Sequence, residues 1–183
     1  MWETVILALI VAKIKGYKLK SLFRTWQIYP VLIFESIYLI LQINIFRGNY
    51  NFLKYANILE TLYLSSYLFL ILKYEQYISA IIGSIFIFIG TFFNKIAIGA
   101  NGGTMPVFPT LSYLTGYATP DAFSKVDDIH VLGNSSTKLK FLTDIIDVGY
   151  SILSIGDIFI RVFVFIIIFN TIKHMNRREY MYD

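Results

Sequence analysis

Residues 81–93 carry no charged side chain, and neither do residues 162–171. A spanning helix needs about 20 mostly apolar residues, so runs of this kind dictate where such helices lie. Of 183 residues, 56% are hydrophobic and 17% aromatic, and the mean hydropathy is +0.61. A soluble domain of this length has too little interior to hide so much apolar surface. The chain reads as an all-α integral membrane protein, with the lipid bilayer as its first partner.

Length and periodicity place about five transmembrane helices, at residues 2–17, 26–46, 52–73, 77–96 and 155–172, in a single membrane domain covering 1–183. The first is the shortest and spans only if Lys13 and Lys15 snorkel to the headgroups; otherwise it is an interfacial helix. No basic residues precede its apolar part and no small-residue cleavage site follows, so it does not read as a cleaved leader.

Between the fourth and fifth helices lies a long loop, 97–153, too long for a passive connector. Its prolines Pro106, Pro109 and Pro120 alternate with Phe108, Tyr113, Tyr117 and Phe123, a composition suited to a re-entrant or interfacial loop. Leu139, Leu142, Ile145, Ile146 and Val148 recur near helical spacing and predict a short amphipathic helix on the membrane surface.

Lysine and arginine positions set orientation. Lys13, Lys15, Lys18, Lys20 and Arg24 form the densest cluster; Lys73, Lys173, Arg177 and Arg178 join it on the same side of a five-span chain. Arg47, Lys54, Lys95, Lys125, Lys138 and Lys140 fall opposite. The balance predicts an N-terminus outside and a C-terminus in the cytoplasm. The net charge of +4 calls for no nucleic acid, since basic residues flanking spans meet anionic headgroups.

Cysteine is absent and there are two histidines, His130 and His174, which disfavours thiol chemistry and a histidine-rich metal site. No phosphate-binding glycine loop, zinc helix or nucleophile elbow is present, and no cofactor is implied. Candidate chemistry rests on polar residues in apolar surroundings. Glu35 lies near the middle of the second span. Glu60 falls about 12 Å into the third and Arg161 roughly 9 Å into the fifth, depths that permit a buried Glu60–Arg161 pair. A charge at mid-bilayer costs about 2.5–3.5 kcal/mol, which favours a partner or a wet cavity. Gln42, Asn57 and Asn94 also fall in outer halves of their helices.

The polar stretch after the fourth helix carries three motifs: Asn101-Gly102-Gly103-Thr104-Met105-Pro106-Val107, then, beyond His130, Thr137-Lys138-Leu139-Lys140-Phe141-Leu142-Thr143-Asp144, then Ser154-Ile155-Gly156-Asp157. Together they resemble a family of bacterial multi-pass membrane proteins of unknown function, over nearly the whole chain. The resemblance implies a helical membrane fold in a bacterial cytoplasmic membrane. It implies no activity.

Each candidate has a plain structural alternative. Ser154 and Asp157 fit a capping pattern, and Asp157 stands four residues before Arg161, the spacing of an intrahelical ion pair. Gly83, Gly90, Asn94 and Ala97 share one helix face and read as a packing seam. Asn101-Gly102-Gly103 is first a helix stop, though its backbone N–H groups suit an anion. His130 beside Asp127 and Asp128 resembles a solvated loop cluster. The sharper expectation is that Asn101, His130, Asp144 and Asp157 converge on one outer pocket, organised also by Asn94, Gly102, Gly103 and Ser154.

Two functional classes follow. One is a subunit whose outward-facing polar pocket binds or helps transport a small polar or ionic ligand, or docks a partner membrane protein or second copy. The other is a membrane-embedded hydrolase or transferase acting through His130, Asp144 and Asp157.

Overall fold

The computed structural model describes residues 1–119, 122–125 and 128–182. Pro120, Asp121, Asp127 and Asp183, and the side chains of Lys54, Asn57, Lys125 and Arg178, lie outside the described residues. The described chain is mostly helical, with α1 Trp2–Ile14, α2 Tyr29–Phe46, α3 Ala56–Ser66, α4 Leu68–Lys73, α5 Tyr77–Ala100, α6 Leu111–Thr115, α7 Ala122–Lys125 and α8 Ile155–Tyr182. Four short strands, β1 Met105–Val107, β2 His130–Leu132, β3 Ile146–Asp147 and β4 Ile152–Leu153, lie in the connection between α5 and α8.

Among the described residues, three stretches are long and apolar enough to cross a membrane: Trp26–Phe46, Tyr77–Ala100 and Ile155–Arg177. On α5, Ile78, Ile81, Ile85, Phe88 and Phe92 recur at steps of three and four, each more than half exposed. Such a stripe is costly in water and at ease in hydrocarbon, and with the three long helices it points to a membrane protein.

The five expected spans are not matched by five long helices. At 1.5 Å per residue α1 covers about 20 Å, short of the roughly 30 Å hydrocarbon core. The expected third span opens as a 3-10 turn at Leu53–Tyr55 and is interrupted at Tyr67. There the Ser65 and Ser66 hydroxyls donate to the Thr61 and Tyr63 carbonyls, at 2.7 and 2.6 Å, the back-bonding that bends helices. The fourth and fifth expected helices run on to Ala100 and Tyr182. The amphipathic helix expected over 139–148 is instead a 3-10 turn, Lys140–Leu142, followed by β3, and Leu139 before the turn has φ 48°.

The chain divides into two compact units. The first comprises Met1–Tyr38, Ile58–Ile87 and Arg161–Asp183. Its core takes Val164, Ile167, Ile168 and Ile172 from one face of α8, with Ala8, Ala12, Val31, Tyr63, Tyr67 and Leu70. Two contacts fix the course of α1: Glu3 meets Arg161 near the start of α8, and Lys18, just beyond α1, exchanges hydrogen bonds with Asn176 near its end, at 2.7 and 3.0 Å. So α1 runs parallel to α8. Ring contacts of Tyr67 with Phe163 and of Tyr74 with His174 give α4 the same direction. Trp26 against Phe69 and Tyr38 against Tyr63 run α2 the opposite way, and Gln76 bonded to Thr171 starts α5 at the far end of α8.

The second unit comprises Leu39–Asn57 and Phe88–Ile160. Here α5 and α8 cross with backbones nearly touching: a Cβ on Gly156 would lie 2.5 Å from the Gly90 carbonyl oxygen, and one on Gly90 2.3 Å from that of Gly156. Phe93 packs edge-on against Phe159, and Ala97 is fully buried. Strand β1 pairs in parallel with β2, Met105 opposite His130, and β3 pairs antiparallel with β4.

The crossing gives a direct test. Gly156→Ala places a methyl against backbone that cannot step aside, and is expected to cost about 1–3 kcal/mol, read as a lowered unfolding midpoint in detergent. Gly99→Ala, on the same α5 helix with open space around its Cβ position, is expected to be neutral or stabilising by up to about 1 kcal/mol. Equal behaviour of the two variants would show that the crossing relaxes freely.

Candidate functional site

Helix α5 ends on the Asn-Gly-Gly motif because Gly102 and Gly103, at φ +68° and +90°, adopt the left-handed conformation that closes a helix. Asn101 then joins two distant segments: its Nδ2 donates to the Ala97 and Lys138 carbonyls at 2.8 and 2.9 Å, and its Oδ1 accepts from Lys138 N at 2.9 Å. The side chain is engaged with backbone, which leaves it a staple between the first and second motifs.

The Met-Pro-Val segment that follows is the organising strand. On one side Met105 N donates to the Ile129 carbonyl at 2.8 Å, and Gly133 N to that of Val107 at 2.9 Å. On the other, Asp144 N donates to the Pro106 carbonyl at 3.1 Å and Phe108 N to that of Asp144 at 2.9 Å. His130 and Asp144, far apart in sequence, thus flank the same three residues. Gly133 is required where the Phe108 ring lies, since a Cβ would fall 2.3 Å from its Cζ.

Side chains complete the arrangement. His130 Nδ1 lies 2.6 Å from Asp128 Oδ2, and His130 Nε2 lies 3.6 Å from Asp144 Oδ2. Asp144 is buried at 4% exposure, whereas the His130 side chain is 43% exposed. Burial, and then the charges of Asp157 and Asp128, push the Asp144 carboxyl up to about 7 despite the imidazole beside it. Burial works against charging His130, but its bond to Asp128 and the carboxylates of Asp144 and Asp157 outweigh that and raise it. The bond to His130 holds Asp128 below the usual carboxylate range. Because His130 Nε2 and Asp144 Oδ2 lie 3.6 Å apart, the charge on either group acts on the other.

These groups form the polar end of a cavity of about 330 Å³. Ile45, Leu53, Val107 and Ile152 supply apolar wall, and Tyr50 and Tyr117 add aromatic surface. Sequence reasoning set Asp128 aside as a solvated neighbour of His130, and nothing in the local pattern singled out Tyr50. Asp128 is brought in by the β1–β2 pairing, which joins residues 25 positions apart, and Tyr50 comes from the stretch that follows α2.

The third motif closes on itself and on α5. Ser154 N donates to Asp157 Oδ2 at 2.9 Å and Asp157 N to Ser154 Oγ at 3.0 Å, a reciprocal capping box at the start of α8. Asn94 Nδ2 donates to Asp157 Oδ1 at 3.1 Å, and Ser154 Oγ donates to Asn94 Oδ1 at 2.8 Å. Both Asp157 oxygens are therefore engaged, and its influence on Asp144 and His130 is through charge. The partner of Arg161 also differs from expectation. Its Nη1 donates to Glu3 Oε2 at 3.1 Å, so the carboxylate it meets is that of Glu3 instead of Glu60.

One carboxylate outside the cavity holds the connection in shape. Asp147 accepts from Thr110 N, Ser112 N, Ser112 Oγ and Gly149 N, at 2.6, 2.8, 2.6 and 2.8 Å. Burial alone would raise its carboxyl, but these bonds outweigh that and hold it below the usual range. Its contribution is therefore present above the ordinary carboxylate pKa and lost as pH falls through the lower folded value. Asp147→Ala is expected to cost about 1–3 kcal/mol at neutral pH, and the loss to shrink in acid, in unfolding curves measured against pH.

No curated protein and no solved structure matches the chain. A family model matches residues 19–169, which include the three motifs, the whole second unit and the whole cavity lining. The chain belongs to that family, described as a family of unknown function, DUF5317.

Proposed function

We propose that this protein is an integral membrane subunit whose second unit binds, or helps to transport, a small organic cation with an apolar body. One observation carries the reading: a buried carboxyl group, Asp144, beside His130 in the lining of a cavity whose walls are mainly apolar and aromatic. Pockets of about 300–1,000 Å³ with apolar walls and a few placed polar groups are the usual form of small-molecule sites. Two carboxylates against one imidazole favour a positive group at the polar end, and aromatic faces strengthen such contacts. Asn101, Ser154 and Asp157 serve as the frame, since their polar atoms are taken up by backbone and by one another.

The test uses the purified protein in detergent with a series of aromatic amines and their isosteric alcohols. Amines are expected to bind more tightly, and Asp144→Asn to weaken them at least about tenfold. Binding should also fall as pH drops through about 7, where Asp144 takes up its proton. Equal binding of amines and alcohols, insensitive to Asp144→Asn, would sink the proposal.

A second reading is favoured by the same coupled groups. A carboxyl group pushed up to about 7 beside an imidazole suits general acid–base work. In that case an amine-like compound that enters the cavity is recovered altered, and His130→Ala abolishes the alteration without abolishing binding. Unchanged recovery by mass spectrometry supports the binding reading.

The topology we propose keeps five crossings in a bacterial cytoplasmic membrane, with the connection that holds the cavity outside and the C-terminus cytoplasmic. The alternating directions of α1, α2, α4, α5 and α8 support it, even though α1 is short and the α3–α4 pass is interrupted. The bonding of Lys18 to Asn176 supports one basic side, bringing the first lysine cluster to the end of α8. Reporters at Gly48 and Gly133 are expected to behave as extracytoplasmic, and reporters at Glu75 and the chain end as cytoplasmic. A cytoplasmic signal at Gly48 would leave three crossings.

A further inference from the structure

The first unit contains a carboxyl group that the cavity in the second does not use. Glu35 is the one charged residue in the apolar stretch Trp26–Phe46, and it is buried at 6% exposure. Its Oε1 accepts from the Tyr63 hydroxyl at 2.5 Å, and the Tyr63 and Tyr67 hydroxyls are 2.5 Å apart. Both tyrosines are fully buried. Since Tyr63 gives its proton to Glu35, Tyr67 must give its own to Tyr63, so the chain has one direction, Tyr67 to Tyr63 to Glu35. The other carboxyl oxygen, Oε2, is buried and has no hydrogen-bond partner.

That geometry suits an acid better than an anion. A carboxylate has room for about four hydrogen bonds, and here only one is made. An ionised carboxylate in such surroundings loses its hydration without replacement, whereas the neutral acid leaves one O–H unmet and buries no net charge. Among the described residues, the charged and titratable groups facing Glu35 are Glu3 on α1 and the Met1 amino group before it, Arg161 from α8, Tyr63 and Tyr67 from the α3–α4 pass, and Tyr38 on its own helix. Glu3 binds both cations, each at 3.1 Å, and so offsets part of the positive charge that would otherwise favour an anionic Glu35. Buried polar groups normally have their partners, so the unmet Oε2 of a carboxyl group needs an explanation, and a proton held there supplies one.

We infer that Glu35 is a proton-exchange site of the helical unit, holding a proton on Oε2 and releasing it when the neighbouring charges or water reach that oxygen. On release the Oε2–H bond breaks, the proton passes to water, and the negative charge stays on the carboxylate, with Tyr63 still donating to Oε1. Proton uptake reverses each step. The inference does not depend on what the second unit binds.

The experiment treats the wild-type protein in lipid nanodiscs with dicyclohexylcarbodiimide, which adds to protonated carboxyl groups in apolar surroundings, and maps the adduct by peptide mass spectrometry. Glu35 is expected to be labelled at neutral pH, with a rate that falls about tenfold per pH unit once alkali removes the proton. Infrared spectra should show a protonated-carboxyl band that shifts in heavy water and is missing in Glu35→Gln. Mapping on the wild-type chain decides even where Glu35→Gln does not fold. Absence of label on Glu35 at neutral pH, with Glu35 labelled once the protein is unfolded in acid, would overturn the inference. An infrared band unchanged in a folded Glu35→Gln protein would do the same.

Discussion

Asn94 holds the second unit together because it bonds both members of the cap that opens α8. Where α5 and α8 cross, Gly90 and Gly156 let the backbones approach closely enough for the Asn94 amide to reach Ser154 and Asp157. The crossing and the cap need each other: without the glycines the amide is held away, and without the amide the half-buried Asp157 carboxylate has fewer partners. Because the connection leaves α5 at Ala100 and re-enters α8 at Ile155, this junction fixes both its ends. The short β1–β2 and β3–β4 pairs are then formed inside a closed loop, which lowers the entropy cost of joining segments far apart in sequence.

The first unit solves a different problem, that of polar groups among apolar helices. Asn176, at 1% exposure, bonds the backbone of Lys18 on both its N–H and its carbonyl, and Gln76 reaches Thr171. Arg161 is answered by Glu3. Each contact ties α8 to another part of the unit, and each would be weak in water, where the same groups have ready alternatives. In an apolar setting the alternative is an unmet polar atom, so these contacts hold helix register as well as helix proximity. Glu35 differs from them in taking its hydrogen bond from a buried tyrosine pair instead of from α8.

How far the sequence disclosed this follows from what kind of contact is involved. The runs in α2, α5 and α8 were legible because length and apolarity are local properties, and the small-residue face of α5 marked its seam. The Ser-x-x-Asp cap was legible for the same reason. Depth arithmetic failed for Arg161 because it gives distance along the bilayer normal and nothing about which helix stands beside it; Glu3 and Glu60 were both within reach. The predicted amphipathic helix near 139–148 did not form because strand pairing outside the local window takes up the segment's backbone. Leu139 takes a left-handed conformation, and Asp144 is drawn into a ladder with β1 that no local window contains.

The division between Asp144 and Asp157 shows how two aspartates in neighbouring motifs come to differ. Asp157 is at a helix start, where backbone N–H groups and the helix dipole favour a carboxylate, and its oxygens are taken up by Ser154 and Asn94. Asp144 has its backbone, not its side chain, committed to β1; the carboxyl is left facing His130 at 3.6 Å beside an apolar cavity. The charge of Asp157 makes ionisation of Asp144 harder still, so the group with the settled role tunes the one that is open. Moving a carboxylate from frame to site therefore takes no unusual residue. It takes a strand that holds the main chain and leaves the side chain unspent.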